Sequence, residues 1–268
     1  MSSNDIAVPA DLERRFSGLG RLLGEVKAQT VRSAHVAVVG VGGVGSWAAE
    51  ALARSGIGEI TLIDMDHVSE SNINRQLHAL TSTLGQSKVR AMQDRIQGIN
   101  PDCKVHCVDD FVTPENWAEV LSASVDAVID ACDQVAAKTV MADWARRSGG
   151  VFVSVGAAGG KKQAQLVDLQ DLAETTHGPL LAQVRYRLRK SYGAPKNGKK
   201  LSVACVFSRE PVQQPDASCN IQSDGTLNCH GYGSLVTVTA TFGMCAAGYV
   251  IDKVSDAIAK KRLKKAII

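Results

Sequence analysis

A short apolar segment that runs directly into a glycine-rich turn constrains the fold of this chain most strongly. The segment is His35–Val39, and the turn reads Gly40-Val41-Gly42-Gly43-Val44-Gly45; a second apolar run, Ile60–Ile63, ends on Asp64. Such glycines let the backbone approach a phosphate, the next helix begins with a positive dipole end, and an acidic residue about 20 positions on can bind a ribose hydroxyl. The pattern predicts a Rossmann-type nucleotide site, but alone it also fits an NAD or FAD enzyme.

The residues after Asp64 narrow the choice of nucleotide. They add acidic, amide and cationic side chains at Asp66, Asn72, Arg75, Gln76 and Lys88. A hydride-transfer enzyme needs no cations over its cofactor, whereas an enzyme that breaks a nucleoside triphosphate does, because charge develops on the phosphates. Taken singly, Lys88 also fits a solvated helix lysine and Asn72 a turn residue. Together they predict a triphosphate site in which Arg75 and Lys88 are catalytic and the other residues bind the nucleotide, namely Gly40, Gly42, Gly43, Gly45, Asp64, Asp66, Asn72 and Gln76.

Two aspartates, Asp130 and Asp133, follow the apolar strand predicted at Val125–Ile129. The carboxyl ends of parallel strands meet at one edge of a sheet, so this pair should lie near the glycine turn. Carboxylate oxygens there are suited to bind magnesium beside the phosphates. We predict both aspartates as metal ligands and Asp133 as catalytic, although Asp130 could simply cap the following helix.

The first 160 residues alternate between predicted strands and helices. After an N-terminal helix at 11–32, strands are predicted at 35–39, 59–64, 103–108, 125–130 and 151–155, and helices at 44–55, 87–98, 114–121 and 134–148. Thr113-Pro114-Glu115 is a typical helix start. The alternation predicts an α/β fold, a Rossmann-like doubly wound and mainly parallel sheet. We divide the chain into an N-terminal helical arm at 1–34, a nucleotide-binding core at 35–158 and a crossover and substrate or interface region at 159–268 that does not fold independently.

The pattern changes after Gly156. We predict a strand at Gln163–Val167, a helix at 180–190, and loops at 191–200 and 209–233. Residues 234–251 are largely apolar and just about long enough to enter a membrane, for which roughly 20 residues are typical. Several threonines and a glycine dilute this segment, so a helix buried in the core or in a subunit interface is favoured over membrane association.

Charge and cysteine usage limit the partners and the compartment. Seven Lys or Arg and no acidic residue occur between Thr175 and Ser208, and a second basic cluster lies at Lys260–Lys265. Such clusters can contact nucleic-acid phosphates, although a solvated helix face is an equally simple interpretation. The seven cysteines include no CxxC pair, which argues against a four-cysteine zinc site or a disulfide scaffold. We expect a cytoplasmic protein.

The order of these motifs resembles the ubiquitin-activating-enzyme-like family, whose bacterial members adenylate the C-termini of small sulfur-carrier proteins. The matching residues are the Gly40–Gly45 turn, Asp64 and Asp66, Asn72 to Gln76, Lys88, and Asp130 with Asp133. The resemblance implies an ATP–Mg²⁺ site that joins a substrate carboxylate to AMP with loss of pyrophosphate. It also implies a homodimer in which an N-terminal arginine, Arg15 or Arg21 here, reaches the partner's site.

The sequence also departs from the sulfur-carrier enzymes. It lacks their two zinc-binding CxxC pairs and the cysteine of the crossover segment, which here is basic instead. In this it resembles the branch that acts on tRNA, the threonylcarbamoyladenosine dehydratases. That resemblance implies activation of the substrate carboxylate and ring closure on an adenosine beside the anticodon, without a protein thioester. It makes tRNA the expected partner, bound through Arg185, Arg187, Arg189 and Lys190.

Two other interpretations stay open at this point. One keeps the adenylation but makes a sulfur-carrier C-terminus the acceptor, with Cys219 or Cys229 as the thiol and a cysteine-desulfurase system as a possible partner. The other is a non-catalytic dinucleotide-binding scaffold, or one tethered to a membrane through residues 234–251. ATP–pyrophosphate exchange separates the first from tRNA activation, and failure to bind ATP favours the second.

Overall fold

The chain is built around one seven-stranded sheet. The computed structural model describes residues 10–196, 198–216 and 232–266, with side chains up to residue 256. The strands are β1 (His35–Val39), β2 (Glu59–Ile63), β3 (Lys104–Val108), β4 (Ala127–Asp130), β5 (Val151–Val155), β6 (Val167–Asp171) and β7 (Ala204–Ser208). Their order across the sheet is β3-β2-β1-β4-β5-β7-β6, and only β6 is antiparallel to its neighbour.

Helices cover both faces of this sheet. They are α1 (Leu12–Leu23), α2 (Glu25–Arg32), α3 (Gly45–Arg54), α4 (Lys88–Ile99), α5 (Trp117–Val120), α6 (Val135–Ser148), α7 (Pro179–Ser191) and α8 (Val236–Ala266). The predicted Rossmann-like, doubly wound and mainly parallel fold is therefore confirmed.

Two hydrophobic cores explain why β1 is apolar from Val36 to Val39. Val36 and Val38 belong to the core on the face covered by α3, α4 and α8, whereas Ala37 and Val39 belong to the core on the face of α6 and α7. Successive strand residues point to opposite faces, and both faces are covered here. A buried parallel strand consequently needs an uninterrupted apolar run instead of alternation.

The strand register brings the predicted motifs to one edge. Val39, the last residue of β1, pairs with Ile63 on one side and with Asp130 on the other. The segments that follow these three strands therefore leave the sheet side by side. They contain the glycine turn, Asp64 and the Asp130–Asp133 pair, which are far apart in the sequence.

Two predicted helices were wrong in extent. The N-terminal helix is interrupted at Gly24, whose φ of 84° is incompatible with a continuous helix, although Gly18 and Gly20 remain helical. The helix expected at 114–121 is a single turn that begins at Trp117. Thr113 and Asn116 hydrogen-bond each other's backbone ahead of it, so the typical start signal is used in a turn.

The strand predicted at Gln163–Val167 was also wrong. Residues Ala164–Leu166 form a 3-10 turn, and strand β6 begins only at Val167. The sequence analysis did not identify strand β7 at all. Because β7 lies between β5 and β6, the second half of the chain completes the same sheet as the first half.

The apolar segment 234–251 forms most of the first part of α8 and packs inside the protein. Its side chains Val238, Phe242, Ala246 and Val250 are fully buried, one helical turn apart, and continue the core under α3. Within the described ranges, none of the helices has the length and apolarity that a membrane crossing requires. The favoured interpretation was a helix buried in the core or in a subunit interface, and the structure shows burial in the core of the chain.

A glycine sets the distance between α8 and α3. A Cβ added to Gly243 would lie 2.5 Å from the carbonyl oxygen of Val44 and 2.8 Å from Cβ of Trp47. Both contacts are shorter than atoms tolerate, and one of them is to backbone. The helices can therefore approach each other this closely only with glycine at position 243.

We predict that Gly243→Ala destabilises the protein by about 1–3 kcal/mol, because the added methyl group forces α8 away from α3. Gly248 lies on the same helix with nothing within 4 Å of an added Cβ. Gly248→Ala should be neutral or stabilising by up to about 1 kcal/mol, owing to the better helix propensity of alanine. Urea unfolding of both variants measures this difference; equal free energies of unfolding would contradict it.

Candidate active site

A cavity of about 220 Å³ opens at the carboxyl edge of the sheet, above β1, β2 and β4. It lies where the register brings the three motif segments together. Most residues predicted from the sequence line it, namely Gly40, Gly42, Gly43, Asp64, Asp66, Arg75, Gln76, Lys88 and Asp133. Gly45, Asn72 and Asp130 do not line it.

The glycine turn is compressed between strand β4 and helix α3. Gly40 has a φ of 84°, and an added Cβ would lie 2.8 Å from the backbone nitrogen of Cys132. An added Cβ on Gly45 would lie 1.8 Å from the carbonyl oxygen of Gly40. Gly40 thus allows the turn to pass the end of β4, and Gly45 allows helix α3 to begin directly behind the turn. Gly45 has a packing role here rather than the predicted contact with the cavity.

Asp64 holds the turn in place from β2. Its carboxylate accepts hydrogen bonds from the backbone N–H groups of Val41 at 2.7 Å and Asp66 at 2.9 Å. Burial raises the pKa of Asp64, while the nearby charge of Lys88 and the two backbone donors oppose that rise. The carboxylate therefore sits between the glycine turn and the cationic side of the cavity.

Lys88 contributes a positive charge to a mostly buried position. It is 6% exposed and pairs with Asp66 at 2.7 Å, while its backbone N–H donates to the Asp66 carbonyl at 3.0 Å. The Asp66 side chain is more than half exposed. Lys88 is therefore fixed at the start of α4 by a partner that is itself open to solvent, so an anionic ligand can compete for its ammonium group.

Arg75 is held against the glycine turn from the other side. Its Nη1 donates to the Ser71 carbonyl at 2.7 Å and to Asn74 Oδ1 at 2.9 Å, and the side chain is 8% exposed. Trp47 on α3 donates its indole N–H to the Arg75 carbonyl at 3.0 Å. These contacts fix both the backbone and the guanidinium, which reduces the reorganisation that a charged ligand would require.

Gln76 and Asn72 have different surroundings although they are close in sequence. Gln76 lines the cavity, and its buried Oε1 has no hydrogen-bond partner within the described part of the chain. Buried acceptors are normally satisfied, so this atom is available for a ligand donor. Asn72 instead accepts a hydrogen bond from the Ser69 backbone at 3.1 Å and closes a 3-10 turn, the structural role that the sequence left open.

The prediction that Asp130 is a metal ligand does not fit its environment. Asp130 is fully buried behind the cavity, where it pairs with Lys138 at 3.0 Å and accepts the Ser154 hydroxyl at 2.6 Å. The Cys132 thiol lies 3.1 Å from Oδ1, the oxygen that also pairs with Lys138, whereas Ser154 binds Oδ2. Both oxygens thus have partners in the protein, whereas the exposed carboxylate of Asp133 faces the cavity and makes no hydrogen bond or ion pair with the rest of the described chain.

Sequence reasoning missed several residues of this region. Lys138 was not predicted as a site residue, because nothing in the sequence of α6 indicates that a lysine is buried there. Asp110, Phe111 and Val112 line the cavity after β3, as Asp64 does after β2. The rule that strand ends share an edge would have identified them. Thr239 of α8 also lines the cavity. No local sequence pattern predicts that a residue this far along the chain lies beside the glycine turn.

The predicted trans arginines lie on α1, away from the cavity of their own chain. Arg15 donates to the carbonyl of Ile99, the last residue of α4, at 2.6 Å. Its positive charge thus interacts favourably with the negative end of the α4 helix dipole. Arg21 is exposed, and its one hydrogen bond to the described part of the chain is to Ser17 Oγ, at 3.5 Å. Arg15 therefore has a structural task within the chain, and Arg21 is the freer of the two.

The predicted nucleic-acid residues on α7 divide into two groups. Arg185 is half-buried and donates to the carbonyls of Leu172 and Thr175 at 2.9 and 3.0 Å, and Arg189 donates to the Pro195 carbonyl at 3.2 Å. Arg187 and Lys190 are exposed, and the Lys190 ammonium lies 5.5 Å from the centre of the Tyr186 ring. Only this second group presents free cations to an anionic partner. The second basic cluster, Lys260–Lys265, lies on α8 beyond the described side chains.

The described cysteines are poorly suited to nucleophilic chemistry. Cys132 lines the cavity, but burial and the adjacent Asp130 raise the pKa of its thiol. Burial raises the pKa of Cys103 to about 12 and also raises that of Cys205. Thiols in such environments stay protonated and inert. Cys219 and Cys229 lie outside the described residues.

His78 is a buried base beside the cationic side of the cavity. It is 2% exposed, and neither ring nitrogen has a hydrogen-bond partner among the described residues. Burial, together with the charges of Lys88 and Arg95, lowers the pKa of His78 to about 4. The ring is consequently neutral in the folded protein at pH 7.

The chain is similar to known proteins over almost its whole length. The ThiF family model matches residues 16–267. The Haemophilus influenzae protein named tRNA threonylcarbamoyladenosine dehydratase is 44% identical over 243 residues, 90% of this chain and 93% of that protein. The Escherichia coli protein of the same name is 45% identical over 263 residues, 92% and 96% of the two chains. The crystal structure of the E. coli dehydratase in complex with ATP superposes with a TM-score of 0.85 at 45% identity, covering 94% of this chain and 99% of that one.

We predict that acid weakens the fold through His78. The unfolded chain takes up this proton near pH 6.5 and the folded chain only near pH 4, so stability is lost as the pH falls through that window. The loss attributable to His78 is on the order of 3 kcal/mol. Urea unfolding between pH 7 and 4 should show a smaller decline for His78→Leu than for the wild type.

His67→Gln is the matched control, because His67 is exposed and its removal should leave the pH dependence of the wild type unchanged. If His78→Leu and the wild type lose stability in parallel over this range, the assignment to His78 is wrong.

Proposed function

The chain belongs to the ThiF family, and we propose that it catalyses the ATP-dependent dehydration of threonylcarbamoyladenosine in tRNA. Relatives with this name match it over almost their whole length at 44–45% identity, and one of them has been crystallised with ATP. The observation that carries the proposal is the cavity at the sheet edge. It joins the glycine turn to two cations, Arg75 and Lys88, and one open carboxylate, Asp133.

The proposed reaction removes water in two transfers. The substrate carboxylate attacks the α-phosphate of ATP, and pyrophosphate leaves, which gives an acyl-adenylate. A nucleophile of the substrate itself then attacks the acyl carbon and loses its proton, and AMP leaves with one of the former carboxylate oxygens. Oxide is too poor a leaving group for direct ring closure, whereas AMP is a good one. The protein therefore supplies position and charge rather than a covalent intermediate.

The cavity residues suit the first of these transfers. Arg75 and Lys88 are both less than a tenth exposed, so their charges are weakly screened where negative charge moves onto pyrophosphate. The unpartnered Oε1 of Gln76 offers an acceptor for a donor group of the nucleotide or the substrate.

Asp133 is the residue that fits a magnesium ion. Its carboxylate is a hard oxygen ligand, it faces the cavity, and it has no competing partner within the described chain. Magnesium bound there would offset phosphate charge beside Arg75 and Lys88. Asp130 is left out of this proposal because Lys138 and Ser154 already satisfy it.

We further propose a homodimer in which Arg21 reaches the partner's cavity. The exposed side chain of Arg21 has only a 3.5 Å contact to Ser17, whereas Arg15 is engaged by helix α4. A trans arginine would add a third cation to the phosphates. In this proposal Arg15 supports the fold and Arg21 binds the partner's ligand, a distinction that the sequence alone could not make.

For tRNA, the proposed contact surface is the exposed side of α7. It combines the cations Arg187 and Lys190 with the Tyr186 ring, which is 61% exposed. Cations bind the phosphate backbone, and an exposed aromatic ring can stack on an unpaired base.

Adenylation of a sulfur carrier is less well supported. The chain lacks the CxxC pairs and the crossover cysteine that the resemblance associates with sulfur transfer. Burial keeps the described thiols of the sheet, including Cys205, protonated. No observation therefore favours a cysteine-desulfurase partner among the described residues.

We predict that Lys88→Ala and Asp133→Ala each reduce ATP-dependent turnover at least about a hundredfold, since each removes a group that opposes charge in the transition state. Arg90→Ala is the control on the same helix as Lys88, because Arg90 is exposed and does not line the cavity. Mass spectrometry of nucleosides from tRNA incubated with ATP and each variant measures turnover. Near-normal product with both cavity variants would rule out the proposed adenylation site.

We also predict that the double variant Arg187→Ala/Lys190→Ala weakens tRNA binding without changing ATP affinity. Each lost phosphate contact should flatten the logarithmic salt dependence of binding by about 0.7–0.9 units. Arg185 is kept, because its bonds to Leu172 and Thr175 support the fold.

The control double variant Arg90→Ala/Lys253→Ala removes the same charge from two other exposed positions. If both double variants show the same affinity and the same salt dependence, the tRNA surface lies elsewhere, most plausibly at Lys260–Lys265.

A further inference from the structure

Three potential metal ligands meet at the amino edge of the sheet, opposite the cavity. His35 is the first residue of β1, Glu59 is the first residue of β2, and His106 lies in the middle of β3. His35 pairs in register with Glu59, and Thr61 pairs with His106. Because Glu59 and Thr61 are two residues apart on one strand, all four side chains emerge on the same face.

The distances between these groups are compatible with one metal ion. The ring nitrogen Nε2 of His106 lies 2.7 Å from Glu59 Oε1, and Nδ1 of His35 lies 3.6 Å from the same oxygen. All three ligand atoms lie within 4.8 Å of one another. Tetrahedral zinc with bonds of 2.0–2.1 Å separates its ligands by about 3.3 Å, so shifts of about 1 Å complete the geometry.

The buried side of the cluster fixes the orientation of His35. Its Nε2 lies 2.7 Å from the Thr61 hydroxyl in the protein interior, which leaves Nδ1 directed towards Glu59 and the Ser124 hydroxyl. A ring N–H held by a neighbouring oxygen is the usual support of a metal-bound histidine.

The exposed side of the cluster gives an ion access. The side chains of His106 and Glu59 are 52% and 29% exposed, whereas that of His35 is 5% exposed. A metal ion could therefore enter from solvent without opening the fold. Water or the Ser124 hydroxyl is available for a fourth coordination position.

We propose that His35, Glu59 and His106 form a binding site for a first-row divalent cation of the zinc class. Two imidazoles and one carboxylate are ligands that Zn²⁺ prefers. The bound ion would join β1, β2 and β3 at the edge of the sheet that the nucleotide chemistry does not use. This site is independent of the proposed function, which involves the opposite edge.

The test is zinc binding by the full-length protein after treatment with a chelator. Equilibrium dialysis and isothermal titration calorimetry compare the wild type with Glu59→Gln and His106→Gln, each checked for folding by circular dichroism. His67→Gln is the matched control, since it also removes one exposed histidine but lies outside the cluster. Comparing variants cancels zinc bound elsewhere, for example by cysteines.

We expect the wild type and His67→Gln to bind one zinc ion per chain more tightly, by at least tenfold, than either cluster variant. Zinc should also raise the melting temperature of the first two proteins only, because a ligand that binds the folded state stabilises it. Equal zinc binding by the wild type and either cluster variant would overturn the proposal. The pair Glu59–His106 would then serve only as a hydrogen bond between neighbouring strands.

Discussion

The buried ion pair between Lys138 and Asp130 organises the candidate active site, although neither residue touches the cavity. Both side chains are completely buried, and the Ser154 hydroxyl joins them from β5. Breaking such a pair leaves an uncompensated charge in the interior, which costs about 3–5 kcal/mol. The pair therefore fixes the end of β4 relative to β5 and α6. Asp133 and the passage of Gly40 beside Cys132 both depend on that fixed position.

The cavity is charged before any ligand arrives, and its charges are held by short hydrogen bonds to the backbone and by one ion pair. Asp64 is bound by the glycine turn, Arg75 by Ser71, and Lys88 by its pairing with Asp66. Groups that already point into a weakly solvated cavity need little reorganisation when charge moves on a substrate. The structure thus brings motif residues from the ends of three strands to one cavity.

Local patterns predicted the parts of the fold that have local causes. The buried strand β1 and the glycine turn could be predicted, because an apolar run favours a buried strand and glycines permit a tight turn. Strand β7 was missed although it pairs with the preceding strand β6, because it is inserted between β6 and the more distant β5, and no local pattern encodes that insertion. The environment of Asp130 was not predicted for a related reason, since its partner Lys138 lies beside it only when α6 folds back on the sheet. Asn72 and Gly45 matched the family motif but serve the backbone that supports the cavity.

The position of α8 has a consequence for the order in which the protein can mature. Helix α8 begins at Val236, yet Thr239 closes part of the cavity and Gly243 lies against the first turns of α3. A ribosome delivers Gly40 nearly 200 residues before Val236, and Asp133 about 100 residues before it. The nascent chain therefore carries the complete set of motifs for about 100 residues of synthesis before the wall that contains Thr239 is made. The cavity consequently takes its final shape only after α8 has packed against α3.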